Sequence, residues 1–155
     1  MGVYTFVFNY SKFISLQKHL AEELQSIISF GAVKTVENIQ DLWSGYGELL
    51  RVKLTDSKYN SVIVKRIAAP SEVAHPKGWN SDIGHQRKLK SYQVEANWYQ
   101  HYNPFTHAQC RTAKFLGAKH FKTHSLLVLE DLNQAGFHLR KNTLKDTEIK
   151  SCLEW

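Results

Sequence analysis

Three strand-like segments follow one another in the first half of the chain, with only short turns between them. Residues 33–43, 48–54 and 61–67 each carry β-branched and aliphatic side chains in the pattern of a strand. Residues 44–47 and 55–60, which separate the segments, are rich in glycine or in polar side chains. Because consecutive strands with short connections usually pair side by side in opposite directions, the sequence predicts an antiparallel meander.

Helical patterns lie on both sides of this meander. Leucine and isoleucine at helical spacing predict a leading helix over residues 15–30, and Gly31 provides a stop signal. After a polar connection over residues 70–84, a second helix is predicted over residues 85–102, before the proline that follows it. We expect this second helix to cross the sheet.

The last third of the chain predicts two more strands and the start of another helix. Residues 110–116 and 125–130 are apolar, and residues 117–124 between them are predicted to form a turn. Residues 143–155 predict a helix that still carries apolar residues at its end, so we expect the chain to be truncated there. The predicted fold is an α+β lobe: a curled antiparallel sheet of about five strands, one main crossing helix, a leading helix and a truncated trailing helix.

Size and charge restrict the classes of partner. The chain has 155 residues, a formal net charge of +6 and a pI of about 9.3, which suits one domain and an anionic partner. Cys110 and Cys152 have neither metal-ligand nor redox spacing and are expected to be reduced thiols. No apolar run approaches the ~18 residues of a membrane span, and the start lacks the features of a secretory signal. We therefore expect a cytoplasmic protein without a membrane partner.

The break between the first two predicted strands consists of Ser44, Gly45, Tyr46 and Gly47. Two glycines in a turn allow backbone N–H groups to approach a phosphate closely. An ordinary hairpin turn is the competing interpretation. The segment is not a Walker A loop, because no Gly-Lys-Ser or Gly-Lys-Thr follows, and it is not a Rossmann turn, because a strand comes next.

A lysine lies within the third predicted strand. Alternation along the strand places Lys65 and Ile63 on the same face. The ammonium group can hold phosphate oxygens as a point charge, while Ile63 can lie against a flat base. The competing interpretation is a lysine whose charged end simply reaches solvent from the strand.

A glutamate lies on an aromatic stripe of the second predicted helix. Glu95 shares this stripe with Tyr92, Tyr99 and Tyr102, and its helical neighbours include no cation. A carboxylate in such surroundings is costly unless a distant group neutralises it. Lys65 is the natural partner, although a solvated glutamate on a partly exposed helix is the alternative.

The last predicted strand ends abruptly in two acids. Four aliphatic residues lead into Glu130, Asp131 and Leu132. One interpretation is a strand that meets solvent. The other is a hinge, whose exposed backbone groups can hydrogen-bond the edge of an adenine.

The four candidate features follow one another in the order found in a kinase amino-terminal lobe: a glycine turn, a strand lysine, a helix glutamate and a hinge. Four stretches carry a more specific resemblance: residues 42–48, 75–80, 85–95 and 127–132. They resemble the start of the choline kinase-like and ecdysteroid kinase-like phosphotransferases, within the aminoglycoside phosphotransferase superfamily. The resemblance runs from about Val33 to the end of the chain, and its most specific part leads into the second helix.

The resemblance implies a leading helical segment over residues 1–32, a nucleotide-binding lobe over residues 33–132 and the start of a carboxy-terminal lobe over residues 133–155. It also implies a role for each candidate residue. Lys65 would hold the α- and β-phosphates of ATP and pair with Glu95, and the turn from Ser44 to Gly47 would cover the phosphates. The backbone of Glu130, Asp131 and Leu132 would hold the adenine.

ATP and Mg²⁺ are the implied cofactors, and the implied acceptor is a small-molecule hydroxyl such as that of choline, a steroid alcohol or an aminoglycoside. The resembled family carries a His-Gly-Asp-type catalytic loop and a second Asp for Mg²⁺ in its carboxy-terminal lobe. The nearest His-led triplet here, at residues 138–140, continues with Leu and Arg. We therefore expect no catalytic residue or metal ligand in this chain, and no measurable phosphotransfer by the isolated chain.

Other classes remain open. Arg87, Lys88 and Lys90 lie near Trp79, Tyr92 and Trp98 in sequence, and basic residues interleaved with aromatics can bind nucleic acid. We expect instead a solvated start of the helix and no nucleic-acid partner. A non-catalytic scaffold lobe that self-associates through an apolar patch is a further alternative. A metal site at His120 and His124, or a nucleophilic Cys110, has little support from spacing.

Overall fold

The computed structural model describes residues 10–69, 82–106, 111–139 and 143–154. Stretch 75–80 of the resemblance, with Trp79, lies outside the described residues, as do Cys110, Arg140 and Trp155. The described residues form three α-helices, two short 3₁₀ turns and five strands, and they confirm the predicted α+β class. In chain order these elements are α1 (Tyr10–Gln25), β1 (Val33–Asp41), a 3₁₀ turn (Trp43–Gly45), β2 (Gly47–Leu54), β3 (Ser61–Ile67), α2 (Asp82–His101), a 3₁₀ turn (Asn103–Phe105), β4 (Phe115–His120), β5 (Ser125–Glu130) and α3 (Asp146–Glu154).

All five strands belong to one antiparallel sheet with the order β1-β2-β3-β5-β4. The meander predicted for the first three strands is confirmed. Strand β3 is central, because β2 pairs with it on one side and β5 on the other. In this register Lys65 lies between Leu49 and Leu127, and Ile63 lies between Arg51 and Leu129.

The larger hydrophobic core lies between α1 and one face of the sheet. Leu20 and Leu24, one turn apart on α1, are buried in the same cluster as aliphatic side chains of β2, β3 and β5. On β3 this face carries Val62 and Val64, both fully buried. Alternation along the strand therefore turns Ile63 and Lys65 to the opposite face, as predicted.

Helix α2 packs against that opposite face. Tyr92 of α2 is buried in a second cluster with Tyr46 and Ile67, and Leu89 and Leu42 pack beside them. The sheet is thus covered by a helix on each side. The candidate residues Ile63 and Lys65 share their face with α2, which brings the helix that carries Glu95 within reach of β3.

A buried polar contact joins α1 to the turn between β4 and β5. Glu23 and His124 are both buried, and His124 Nε2 lies 3.0 Å from Glu23 Oε2. His19 Nε2 lies 3.1 Å from the other carboxylate oxygen of Glu23. His120 forms a separate hydrogen bond with Ser125 Oγ, at 2.7 Å. The two histidines considered for a metal site therefore serve different partners.

Several predicted boundaries were wrong. Strand β4 runs over Phe115–His120 rather than residues 110–116, so the turn before β5 is shorter than predicted and His120 belongs to the strand. Gly117 misled the prediction because it looks like a turn signal, yet it lies inside β4. Glycine is needed at this position because of a contact with a distant part of the chain. A Cβ at residue 117 would lie 2.3 Å from Ile27 Cγ2, so glycine permits the chain after α1 to pack closely on β4.

Helix boundaries differ as well. Helix α1 begins at Tyr10 and ends at Gln25, whereas the prediction ran from residue 15 to residue 30. Ile27 and Ile28 continue the helical spacing and pack against the larger core from the turn that follows. Helix α2 starts at Asp82 and α3 at Asp146, each three residues from the predicted start. Among the described helices, none combines the length and apolar character needed to cross a bilayer.

Candidate functional site

The predicted pairing of Lys65 with Glu95 is present. Lys65 Nζ donates a hydrogen bond to Glu95 Oε2 at 2.6 Å, which is a short, charge-assisted contact. The side chain of Lys65 is 15% exposed and that of Glu95 is 33% exposed. The pair is thus half-buried between β3 and α2, with part of the carboxylate still open to solvent.

Tyr92 forms the platform beneath this pair. Lys65 Nζ lies 4.9 Å from the centre of the Tyr92 ring, which is a cation–π distance. Burial raises the pKa of the Tyr92 hydroxyl, Lys65 opposes this effect, and Glu95 adds to it. Burial likewise raises the pKa of Tyr99, with a further contribution from Glu95. Both phenols therefore stay neutral beside Glu95 at physiological pH.

The glycine turn has a left-handed backbone. Ser44, Gly45 and Gly47 have φ angles of 59°, 72° and 127°. The Leu42 N–H donates to the Gly47 carbonyl at 2.8 Å and closes the turn. Gly47 also approaches β3 so closely that a Cβ would lie 2.0 Å from the Arg66 carbonyl oxygen. Among the described residues, no atom lies within 4 Å of a Cβ built at Gly45, so on the side of that Cβ the described chain leaves room for a ligand at the tip of the turn.

Tyr46 is attached to α2 instead of pointing into solvent. Its side chain is 3% exposed, and its hydroxyl shares a 2.6 Å hydrogen bond with His85 Nδ1. Its ring lies 6.2 Å from that of Tyr92, and its carbonyl accepts a hydrogen bond from the Ala68 N–H. Tyr46 therefore holds the turn against α2. A ligand at the turn would contact Ser44, Gly45 or Gly47 instead of the Tyr46 side chain.

In the segment predicted to be a hinge, residues 130–132, the carboxylate of Glu130 bonds to other groups of the protein. Oε2 of Glu130 accepts hydrogen bonds from Arg111 Nη2 at 2.6 Å and from the Lys114 N–H at 3.1 Å. Burial by itself raises the pKa of this carboxyl, but these two donors outweigh burial and hold the pKa below its ordinary value. The contacts join β5 to the segment that leads into β4.

Asp131 forms a buried network that sequence reasoning missed. It is 2% exposed, and Oδ2 accepts hydrogen bonds from Arg51 Nε at 2.9 Å and from Ser61 Oγ at 2.6 Å. Its other oxygen accepts from the Asn133 N–H at 3.1 Å. Arg51 also reaches Glu37 at 3.2 Å. We name this set, Glu37, Arg51, Ser61 and Asp131, the hinge network.

The hinge network raises the pKa of Arg51. Burial alone would lower it, but the hydrogen bonds and negative charges of Asp131 and Glu37 outweigh burial. Asp131 was predicted to matter through its backbone, whereas its side chain attaches the hinge to β2 and β3. An acid following an apolar strand gives no hint of partners that lie 70 and 80 residues away in sequence.

Several backbone groups of residues 130–132 are already hydrogen-bonded within the protein. The Leu132 carbonyl accepts from the N–H groups of Ala135 and Phe137, and the Asp131 carbonyl accepts from the Gln134 N–H. The Glu130 N–H donates to the Lys114 carbonyl at 2.9 Å. These bonds use the carbonyls of Asp131 and Leu132 and the N–H of Glu130 within the fold.

The candidate residues follow one another along β3. Ser61 belongs to the hinge network through its bond to Asp131, Ile63 and Lys65 come next on the same face, and Ile67 pairs with Gly47 at the glycine turn. From Ser61 to Ile67 the strand spans roughly 20 Å. The structure thus places hinge, apolar residue, lysine and turn in one line, with Glu95 opposite the lysine.

Comparison with protein-family models, with curated proteins and with solved structures gave no match for this chain. Within the described part of the chain, no three His, Cys, Asp or Glu side chains lie together in a way that could hold a metal ion.

The ion pair at Glu130 predicts a specific acid sensitivity. Because the folded-state pKa of Glu130 is lowered, its stabilising effect is present above the unfolded pKa of about 4.3 and is lost as the pH falls through the folded value. We expect wild type to be more stable than Glu130→Gln at pH 7, and this difference to shrink below about pH 4. Urea denaturation of both proteins between pH 7 and pH 3 measures it. A difference that stays constant across this range would contradict the assignment.

Proposed function

We propose that this chain is the nucleotide-binding lobe of an ATP-dependent phosphotransferase whose acceptor is a small-molecule hydroxyl. The observation that carries the proposal is the 2.6 Å contact between Lys65 Nζ and Glu95 Oε2, on the sheet face that also holds the glycine turn and the hinge. A strand lysine paired with a helix glutamate is the arrangement with which protein kinases position ATP phosphates.

The chemistry of the pair supports phosphate binding. An ammonium group has three N–H donors, and the contact with Glu95 uses one of them. Glu95 fixes the position of Nζ, and the remaining donors can bind oxygens of a triphosphate. A half-buried ion pair adds little to stability compared with apolar side chains of similar size. The presence of this ion pair is therefore better explained by a role in binding a ligand than by a contribution to folding.

The order along β3 supports a nucleotide instead of a bare phosphate. The half-buried Ile63 and its neighbour Leu129 form an apolar surface between the hinge and Lys65, which suits a flat purine. We propose that the adenine edge bonds the Glu130 carbonyl and the Leu132 N–H. The α- and β-phosphates would then reach Lys65 and the turn around Gly45, where no described residue comes within 4 Å of a Cβ built on the glycine.

The proposed reaction moves the γ-phosphoryl group of ATP to a hydroxyl oxygen, giving ADP and a phosphate ester. The acceptor class comes from the resemblance to choline kinase-like and ecdysteroid kinase-like enzymes. An aspartate that orients the hydroxyl and ligands for Mg²⁺ are needed for this step. The resembled family carries both in its carboxy-terminal lobe, so the role proposed for this chain is the binding of the nucleotide.

Replacing Lys65 by methionine tests the proposal. We expect wild type to bind ATP and Lys65→Met to bind at least about tenfold more weakly, because a charge-assisted contact contributes roughly 1.5–3 kcal/mol. Isothermal titration calorimetry measures both affinities. Lys53→Met is the matched control, since Lys53 is an exposed lysine on β2, and it should bind like wild type. Failure of wild type to bind ATP, or equal binding by Lys65→Met, contradicts the proposal.

Exposed Arg87 and Lys90 on α2 keep nucleic-acid binding as a second candidate. A single-stranded oligonucleotide titrated at increasing salt distinguishes the two classes, because binding through backbone phosphates weakens steeply with salt. We expect ATP to bind Lys65 and the oligonucleotide to bind weakly or not at all. Tight, salt-sensitive oligonucleotide binding that Lys65→Met leaves unchanged would favour the nucleic-acid candidate.

A further inference from the structure

A second lysine lies against the platform of the Lys65–Glu95 pair. Lys88 Nζ is 5.1 Å from the centre of the Tyr92 ring and 5.6 Å from the centre of the Trp43 ring. Trp43 opens the 3₁₀ turn that belongs to the glycine turn. Lys88 therefore lies between α2 and the turn, where the phosphates of the proposed nucleotide would arrive.

Helical spacing explains why Lys88 has this position. Lys88, Tyr92 and Glu95 are separated by four and three residues, so they lie on the same side of α2. Glu95 and Tyr92 on this side both contact Lys65. Lys88 extends the same side by one turn towards the start of the helix, beyond the reach of Glu95.

The described residues provide no oxygen acceptor for the Lys88 ammonium group. Within the described chain, its Nζ has two ring faces beside it but neither an ion pair nor a hydrogen bond. Aromatic faces attract an ammonium group, yet they do not accept its three N–H donors as oxygens do. Lys65, Lys88 and Glu95 together carry one net positive charge, which an anionic ligand can offset.

We propose that Lys88 binds the terminal phosphates of the nucleotide whose first phosphates are held by Lys65. The inference rests on the proposed function and adds a second phosphate-binding residue from α2. Trp43 and Tyr92 hold the ammonium group between them, so the cation is in place before the ligand binds. Because Trp43 belongs to the turn, the same contacts also hold the turn beside the terminal phosphates.

Three ligands and three variants test the assignment by calorimetry. ATP, AMP and tripolyphosphate are titrated into wild type, Lys88→Gln, Lys88→Arg and Lys90→Gln. We expect Lys88→Gln to weaken ATP binding about tenfold and to leave AMP binding unchanged, because AMP lacks the terminal phosphates. Lys88→Arg keeps the charge and should retain ATP binding. Lys90→Gln changes an exposed lysine of the same helix and should match wild type.

The outcomes separate this inference from the proposed function. If wild type binds neither ATP nor AMP, the nucleotide site itself is refuted. If wild type binds both and Lys88→Gln weakens neither, or weakens both equally, Lys88 does not read the terminal phosphates. Binding of tripolyphosphate as tight as that of ATP would assign Lys88 to a site for free polyphosphate and overturn the inference. Circular dichroism of Lys88→Gln confirms that the helix is retained.

Discussion

Replacing Asp131 by alanine is expected to lower the free energy of unfolding by about 3–5 kcal/mol. The carboxylate is 2% exposed and accepts hydrogen bonds from Arg51, Ser61 and the Asn133 backbone. Its removal leaves the half-buried guanidinium of Arg51 without its main counter-charge and the buried hydroxyl of Ser61 without its acceptor. Breaking a buried pair by removing one partner costs far more than the pair itself contributes.

Urea denaturation followed by circular dichroism measures the effect. Glu37→Ala is the matched control, because Glu37 binds the same arginine but is 61% exposed. An exposed ion pair contributes at most about 1 kcal/mol, so Glu37→Ala should cost far less than Asp131→Ala. Equal costs for the two variants would show that Asp131 is not the anchor of the hinge.

Replacing Gly47 by alanine is expected to cost about 2–4 kcal/mol. Two effects add at this position. The φ angle of 127° is strained for any residue with a side chain, and the new Cβ would lie 2.0 Å from the Arg66 carbonyl oxygen. That oxygen belongs to the backbone of β3, so relief requires β2 and β3 to separate beside the turn.

Gly45→Ala separates strain from collision. Gly45 also has a positive φ, of 72°, but no atom of the described residues lies within 4 Å of a Cβ at that site. A left-handed conformation alone costs roughly 1–2 kcal/mol. Thermal unfolding should therefore rank wild type above Gly45→Ala and Gly45→Ala above Gly47→Ala. The reverse order of the two variants would refute the close approach of Gly47 to β3.

The parts of the fold that sequence predicted well are those determined locally. Strands Ser61–Ile67 and Ser125–Glu130 were predicted to the residue, because their aliphatic runs are bounded by polar turns. Lys65 and Glu95 could be paired in advance, since strand alternation and helical spacing each placed one charge on a defined face. The strand bounds needed only neighbours within a few residues. The pairing of Lys65 with Glu95, which lie 30 residues apart, also needed the expectation that the helix after β3 packs on the sheet.

The parts that sequence missed depend on distant contacts. The side-chain role of Asp131 requires Arg51 and Ser61, and the bond from Tyr46 to His85 spans 39 residues. Gly117 looks like a turn signal in the sequence, whereas its close contact is with Ile27, 90 residues earlier in the chain. Local pattern does not reveal which distant strand or helix will supply a partner.

The leading helix has a practical consequence for anyone who shortens this protein. A version that starts at Val33 would lack Leu20 and Leu24 and would expose Val62 and Val64 to solvent. Solvent-exposed aliphatic strands promote aggregation, so this truncated version is a poor candidate for crystallisation trials. Any shortened form should begin ahead of Leu20.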